Sequence, residues 1–157
     1  MKNSPFCPVS IYNALVQLLQ NLVPLGLRLL YGWSFMMSGW MKFQNLEKTT
    51  ASFKALGILW PAFNAPFIGG LELLGGALLI VGFGTRIFSL LLACTMIVAL
   101  LTAHTQFLAA GTFGEGMRDL MQAPPFSFLV VTLILAAFGP GKIALETVCG
   151  CHKKHGE

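Results

Sequence analysis

Three stretches of this chain are apolar over the length that a membrane-spanning helix needs. Ile87–Ala103 and Leu120–Gly141 contain no charged residue, and Phe63–Phe83 contains only one. A fourth stretch, Pro24–Met41, is interrupted only by Arg28. Because a tilted span takes roughly 17–25 mostly apolar residues, the pattern predicts four transmembrane helices. Their predicted bounds are about residues 24–42, 63–83, 86–104 and 121–140.

Residues 1–23 show an amphipathic pattern instead. Polar side chains recur at helical spacing on one face, at Ser10, Asn13, Gln17 and Gln20, and leucines lie largely on the other. This pattern predicts an uncharged helix in the membrane interface, with Pro24 in the first turn of the first span. A fifth span beginning near Pro8 is the alternative. It would expose the polar side chains to lipid.

The connections between the spans differ in character. Phe43–Trp60 is long and amphipathic, which predicts a segment that lies on the non-cytoplasmic surface and roofs the bundle. Thr105–Pro125 is rich in glycine and charge and ends in two prolines, so it is typical of a flexible lid or of a plain solvated loop. Residues 142–157 form a polar tail.

The composition confirms this reading of the pattern. Of 157 residues, 55% are hydrophobic and only 10% are charged, whereas soluble domains are about a quarter charged. The chain is therefore expected to be one all-α membrane domain, residues 1–157, in contact with membrane lipids. The count of Lys and Arg near the span ends favours cytoplasmic termini in a bacterial inner membrane. The basic residues are scattered, which argues against nucleic-acid binding.

Glu72 is the single charge of the second span, and an unpaired carboxylate at that depth costs several kcal/mol. It is therefore expected to face the bundle interior. The second span aligns small residues with it, at Gly69 and Gly76. The first span aligns a polar and aromatic stripe, made of Arg28, Tyr31, Phe35, Ser38 and Lys42. The two stripes are expected to face each other.

Two interpretations of this pair of stripes remain open. In the first, Arg28 or another polar group forms a structural ion pair with Glu72. In the second, the stripes line a pocket that binds a quinone head group, or another apolar ligand with a polar head, and Glu72 accepts a proton. His104, at the end of the third span, is a candidate proton relay or a cap of that helix.

The polar tail contains a candidate metal site. Its soft ligands are Cys149, Cys151, His152 and His155, which could hold zinc or copper(I). The Cys-x-Cys spacing is tighter than zinc sites ordinarily use, so a mobile basic tail is the alternative.

The segment Gly70–Gly76 and the following Gly82–Arg86 together resemble the second-helix signature of the DoxX family of small four-span membrane proteins. Arg28–Leu30, Gly39–Lys42, His104 and Phe138–Lys142 are similar in order and spacing, so the resemblance covers about residues 25–146. Many family members carry a histidine where this chain has Ser38, which weakens any transfer of imidazole chemistry.

The resemblance implies a four-helix membrane bundle. It also implies a role that some family members have, as a subunit of a thiosulfate:quinone oxidoreductase or as a partner of a membrane thiol redox system. Because the sequence carries no recognised redox-cofactor motif, we expect an accessory or quinone-interacting subunit that works with a redox partner protein. A carrier or receptor for a lipid-like molecule and a structural scaffold are the alternatives. The sequence leaves homo-oligomer formation open.

Overall fold

The computed structural model describes residues 8–103, 105, 112–139, 141 and 144. All the regular structure in those residues is helical, which confirms the predicted all-α class. The described residues contain six helices: α1 (Pro8–Gln44), α2 (Leu46–Ala55), α3 (Pro61–Val81), α4 (Thr85–Ala103), α5 (Phe113–Gln122) and α6 (Pro124–Phe138).

Two of these helices, α3 and α4, are long and apolar enough to cross a membrane by themselves. The pair α5 and α6 meets the same criterion only when it is taken together, and the two helices are bent by 76° relative to each other. Length and composition thus identify two or three spans in the described residues. The fourth, in α1, stays a prediction, because Arg28, Lys42 and several small polar residues lower the hydropathy of that helix.

The first helix differs from the prediction at its start. It runs without interruption for 37 residues from Pro8, with Pro24 in its interior rather than in its first turn. Proline is tolerated inside membrane helices, because neighbouring groups can satisfy the carbonyl that it leaves free. A separate fifth span is also ruled out, since the chain does not reverse direction between residues 8 and 44. The segment up to residue 23 is the beginning of a helix about 55 Å long.

The C-terminal part of α1 runs antiparallel to α3 and beside it. Arg28 contacts the C-terminal end of α3 at Leu79, and Lys42, near the other end of α1, contacts Glu72. This part of α1 therefore shares the depth of a helix that meets the criterion for a span, which supports the predicted fourth span.

The helix α6 packs antiparallel to α4 and completes the core. Gly139, after the end of α6, lies against the Arg86 side chain at the start of α4, and Pro124 borders the same cavity as Met96, in the second half of α4. The buried hydrophobic cluster is formed by Phe35, Leu79, Leu92, Met96, Val131 and Leu135.

The connections are more helical than predicted. The roof over the bundle contains α2, and the predicted lid or loop between residues 105 and 125 contains α5. The predicted span at 121–140 is interrupted at Ala123, whose backbone is extended (φ −69°, ψ 119°). A residue before proline avoids the helical region, so α6 begins only at Pro124.

The buried Arg28 caps the C-terminal end of α3. Its Nε donates to the Leu79 carbonyl (2.9 Å) and its Nη2 to the Ile80 carbonyl (3.1 Å). Gly82, with φ +77°, ends the helix directly against the guanidinium group. The guanidinium thus hydrogen-bonds carbonyls of the last turn, which the helix itself cannot pair.

We expect Gly82→Ala to lower the free energy of unfolding by more than Gly57→Ala does. Both glycines have positive φ, and each alanine should incur about 1–3 kcal/mol of backbone strain. Only at Gly82 would the new methyl also displace Arg28, since the space at Gly57 is open (φ +71°). Thermal unfolding of the two variants in the same detergent measures the difference. Equal losses would contradict the cap.

Candidate functional site

The candidate site is built around Glu72, a residue that is only 2% exposed. It lies midway along α3 on the face that the small residues Ala65, Gly69 and Gly76 share with it. That face packs against α1, so the predicted orientation of Glu72 toward the bundle interior agrees with the structure.

Close backbone contacts fix the register between α1 and α3. A Cβ atom on Gly39 would lie 2.5 Å from the Gly69 carbonyl oxygen and from the Leu73 nitrogen. One on Gly76 would lie 2.5 Å from the Gly32 carbonyl oxygen. Only glycine allows two helices to approach this closely. In the resulting register, Ser38 and Lys42 of α1 lie opposite Glu72.

Ser38, Lys42 and Glu72 form a closed polar cluster. The Ser38 hydroxyl donates to Oε2 of Glu72 (2.9 Å), and the Lys42 ammonium donates to the Ser38 oxygen (3.0 Å). Lys42 also forms an ion pair with the same Oε2. All hydrogen bonds to Glu72 within the described residues go to Oε2, and Oε1 accepts none from them.

The predicted pairing of Arg28 with Glu72 is wrong. Arg28 lies ten residues before Ser38, which is about 15 Å along a helix, and it caps α3 instead. The more general expectation, that another polar group reaches Glu72, agrees with the structure, and that group is Lys42.

A cavity of about 230 Å³, called here the interior cavity, opens beside the polar cluster. Its lining residues are Phe35, Ser38, Lys42, Glu72, Met96, Ala99, Pro124, Pro125 and Phe128. A smaller cavity of about 120 Å³ also reaches Lys42 and Glu72, and it is covered by Phe53, Leu56 and Ile58 in and after α2. The roof predicted from the amphipathic segment thus lies over Glu72.

Four of the predicted binding residues line the interior cavity, namely Phe35, Ser38, Lys42 and Glu72. The other four do not. Arg28 caps a helix, and Gly69 and Gly76 permit the contact between helices. Tyr31 packs edge-on against Phe128, with ring centroids 5.1 Å apart. Phe35 makes a similar contact with Phe128, with ring centroids 5.0 Å apart. The two contacts join α1 to α6 beside the interior cavity.

No sequence pattern identifies Met96, Ala99 or Phe128 as site residues. They are ordinary apolar residues of predicted spans, and no local pattern separates a cavity lining from a core position. For Pro124 and Pro125 the sequence predicts only the end of a loop.

The remaining candidates lie outside the described residues. These are the proposed proton relay His104 and the proposed metal ligands Cys149, Cys151, His152 and His155. Both assignments stay predictions.

Comparison with known proteins supports a family assignment. The DoxX family model matches residues 23–105, which contain the whole polar cluster. The chain is 34% identical over 130 residues to a Bacillus subtilis protein named "Putative oxidoreductase CatD", covering 83% of this chain and 89% of that protein. It is 32% identical over 128 residues to "Inner membrane protein YqjF" of Escherichia coli, covering 82% and 92%.

No solved structure matches the chain. The two relatives are matched over most of their length, and the family model spans more than half of this chain. The predicted resemblance is therefore confirmed, and this integral membrane protein belongs to the DoxX family.

Proposed function

We propose that the protein is a quinone-binding accessory subunit of a membrane redox system. The observation that carries the proposal is the cluster of Ser38, Lys42 and Glu72, which is buried in the bundle and yet borders an apolar cavity. Ligand sites typically combine a mostly apolar lining with a few placed polar groups. A membrane-dissolved quinone has the matching chemistry, because it is an apolar molecule with two carbonyl oxygens.

The side chains of the cluster suit the two states of such a ligand. Lys42 can donate a hydrogen bond to a quinone carbonyl, and Ser38 can donate to it or to Glu72. Reduction of a quinone to a quinol takes up two electrons from the redox partner protein and two protons, one on each ring oxygen. We assign to Glu72 the proton of the ring oxygen that binds at the cluster: its carboxylic acid form gives up this proton and regains it from water, and Lys42 balances the charge of the carboxylate that remains. The other ring oxygen takes its proton from water.

The electrons are assigned to a redox partner protein, because the sequence carries no recognised redox-cofactor motif. The name of one relative, "Putative oxidoreductase CatD", supports the redox assignment. The name of YqjF supports a bacterial inner membrane. We place both termini in the cytoplasm from the distribution of Lys and Arg.

A carrier for a lipid-like molecule is the second candidate. It is favoured by the apolar part of the cavity lining, where Met96, Pro124 and Phe128 offer no hydrogen bond to a second polar group of the ligand. Mass spectrometry of an organic extract of the purified protein separates the two candidates, since it identifies either a quinone or another lipid.

Filling the cavity should remove the ligand without unfolding the protein. Ala99 lines both cavities, so the Phe side chain of Ala99→Phe is expected to occupy the space that a ring would use. We expect the wild-type extract to contain about one quinone per protein and the variant extract to contain less than about a tenth of that. Ala137→Phe, at an exposed position of α6, is the matched control. A wild-type extract without quinone would contradict the proposal, and so would full retention by Ala99→Phe.

A further inference from the structure

A groove on the outer face of α1, called here the outer groove, is lined mainly by polar side chains. It has a volume of about 530 Å³ and follows the second half of α1 to the start of α2. Six of its eight lining residues are polar, namely Ser34, Ser38, Lys42, Asn45, Lys48 and Thr49. Polar side chains on the outside of a membrane bundle are costly unless they have polar partners. The outer groove is therefore a candidate site for a polar ligand.

The three hydroxyl groups of the outer groove already donate hydrogen bonds within the protein. Ser34 and Thr49 each donate to the backbone carbonyl four residues earlier, at 2.9 and 3.0 Å. Ser38 donates to Glu72 at 2.9 Å. A hydroxyl group has only one proton, so these three side chains can accept from a ligand but cannot donate to it. Donors for a ligand must come from the other polar residues of the groove.

Those donors lie together, at the end of the groove where α1 meets α2. Lys42 uses two of its three ammonium protons within the polar cluster. Asn45 uses one of its two amide protons, on the Met41 carbonyl (3.3 Å). Lys48 is exposed, and its ammonium donates to none of the described residues. This end of the groove thus offers several N–H donors to an acceptor group.

The same end carries an unbalanced positive charge. Glu72 balances the charge of Lys42, but no carboxylate lines the outer groove beside Lys48. Glu47, the neighbour of Lys48 in the chain, is not a lining residue. Ammonium groups form strong, charge-assisted hydrogen bonds to phosphate oxygens. The charge therefore favours a phosphate group, and it disfavours a zwitterionic ligand, whose cation would find no carboxylate in the groove.

The position of the groove favours a phospholipid as the source of the phosphate. Gly69 lies opposite Lys42, eight residues after the start of α3 and so about 12 Å from that end of the span. Asn45 follows Lys42 toward the same end, and α2 with Lys48 begins there. Met37, which is 39% exposed, lies on the side of the bilayer centre. A phospholipid has the same order, with its phosphate toward the membrane surface and its chains toward the centre.

We infer that the outer groove binds the head group of an anionic phospholipid. The phosphate accepts hydrogen bonds from Lys48 and Asn45 and from the remaining proton of Lys42. Because Lys42 also belongs to the polar cluster, the bound head group lies beside the ion pair of Glu72. The inference does not depend on which ligand occupies the interior cavity, so it stands or falls separately from the proposed function.

Native mass spectrometry in detergent tests the inference. The wild type, Lys48→Gln and Lys54→Gln are titrated with phosphatidylglycerol and with phosphatidylcholine of the same chains, and the affinity for the first bound lipid is measured. Since one lysine beside an anionic lipid contributes about fivefold, the wild type should prefer phosphatidylglycerol by at least about fivefold. Lys48→Gln should reduce this preference to less than about twofold. Lys54→Gln is the matched control and should keep it, because Lys54 is exposed on the same helix but does not line the groove.

Two outcomes of the titration would overturn the inference. One is an equal affinity of the wild type for the two lipids. The other is an equal loss of preference in Lys48→Gln and Lys54→Gln, because a diffuse attraction of the whole basic surface would weaken in the same way when either lysine is removed.

A second measurement does not depend on a variant. Phosphatidylglycerol with a photoreactive diazirine on its head group is bound to the wild-type protein and irradiated. Peptide mapping should find the label on residues 42–49, and inorganic phosphate should lower the yield no more than sodium chloride of the same ionic strength does. Labels confined to other segments would overturn the inference. A specific loss of label in inorganic phosphate would show that the groove takes a soluble anion, and it would overturn the assignment to a lipid.

Discussion

Replacing Lys42 with methionine is expected to lower the free energy of unfolding by about 3 kcal/mol. The variant leaves Glu72 as an uncompensated charge at a position 2% exposed, and removing one partner of a buried pair typically costs about 3–5 kcal/mol. The lower end applies because the Lys42 side chain is a quarter exposed and water screens part of the interaction. Chemical or thermal unfolding in one detergent measures the loss.

A double variant distinguishes the lost charge balance from lost packing. Lys42→Met with Glu72→Gln removes both charges and keeps the volumes, so it should recover most of the stability that Lys42→Met alone loses. Lys54→Met, at an exposed position of α2, is the control and should change stability by less than about 0.5 kcal/mol. The ion pair would be refuted if the double variant were as unstable as Lys42→Met.

The substitutions Gly39→Ala and Gly76→Ala are each expected to lower the free energy of unfolding by about 3 kcal/mol. Each new methyl carbon would lie 2.5 Å from a carbonyl oxygen of the facing helix. Backbone cannot rotate away as a side chain can, so α1 and α3 would have to separate by about 1 Å to reach ordinary contact. The separation would also move Ser38 and Lys42 away from Glu72.

Gly26→Ala and Gly70→Ala provide the contrast. Nothing lies within 4 Å of a Cβ on Gly26, and the nearest atom to one on Gly70 is a Phe43 ring carbon at 3.7 Å. Because alanine suits a helix better than glycine, these variants should be neutral or stabilising by up to about 1 kcal/mol. Melting temperatures of the four variants test the prediction. A uniform response would show that the helices do not meet at Gly39 and Gly76.

The sequence was sufficient to find Glu72, because a lone carboxylate in an apolar run is conspicuous and its burial has few solutions. It also placed Ser38 and Lys42 on the face of α1 that meets Glu72. It did not identify the partner of Glu72. Helical periodicity fixes which side chains share a face, but the offset between two helices depends on where their backbones approach. Gly39 and Gly76 set that offset, and it favours Lys42 over Arg28.

The ends of the helices were predicted unequally well. The starts and ends of α3 and α4 differ from the predicted spans by one or two residues. For α3, proline at the start and glycine after the end are strong signals of helix boundaries, at Pro61 and Gly82. At α5 the composition suggested a loop, yet Phe113, Met117 and Met121 recur every four residues and form an apolar face. This periodicity was available in the sequence. The glycines in and beside the segment disfavour a helix, and they led to the prediction of a loop.

The short α6 has a consequence for the lipid beside it. Its 15 residues span about 22 Å, whereas the hydrocarbon layer is about 30 Å thick. Such a mismatch is relieved either by local thinning of the bilayer or by α5, which continues the apolar stretch beyond the bend. Since Pro124 at the start of α6 lines the interior cavity, a thinned layer would lie next to that cavity. Under the proposed function, water would then come closer to Glu72 on this side than the length of α4 allows, and the path for proton exchange would be shorter.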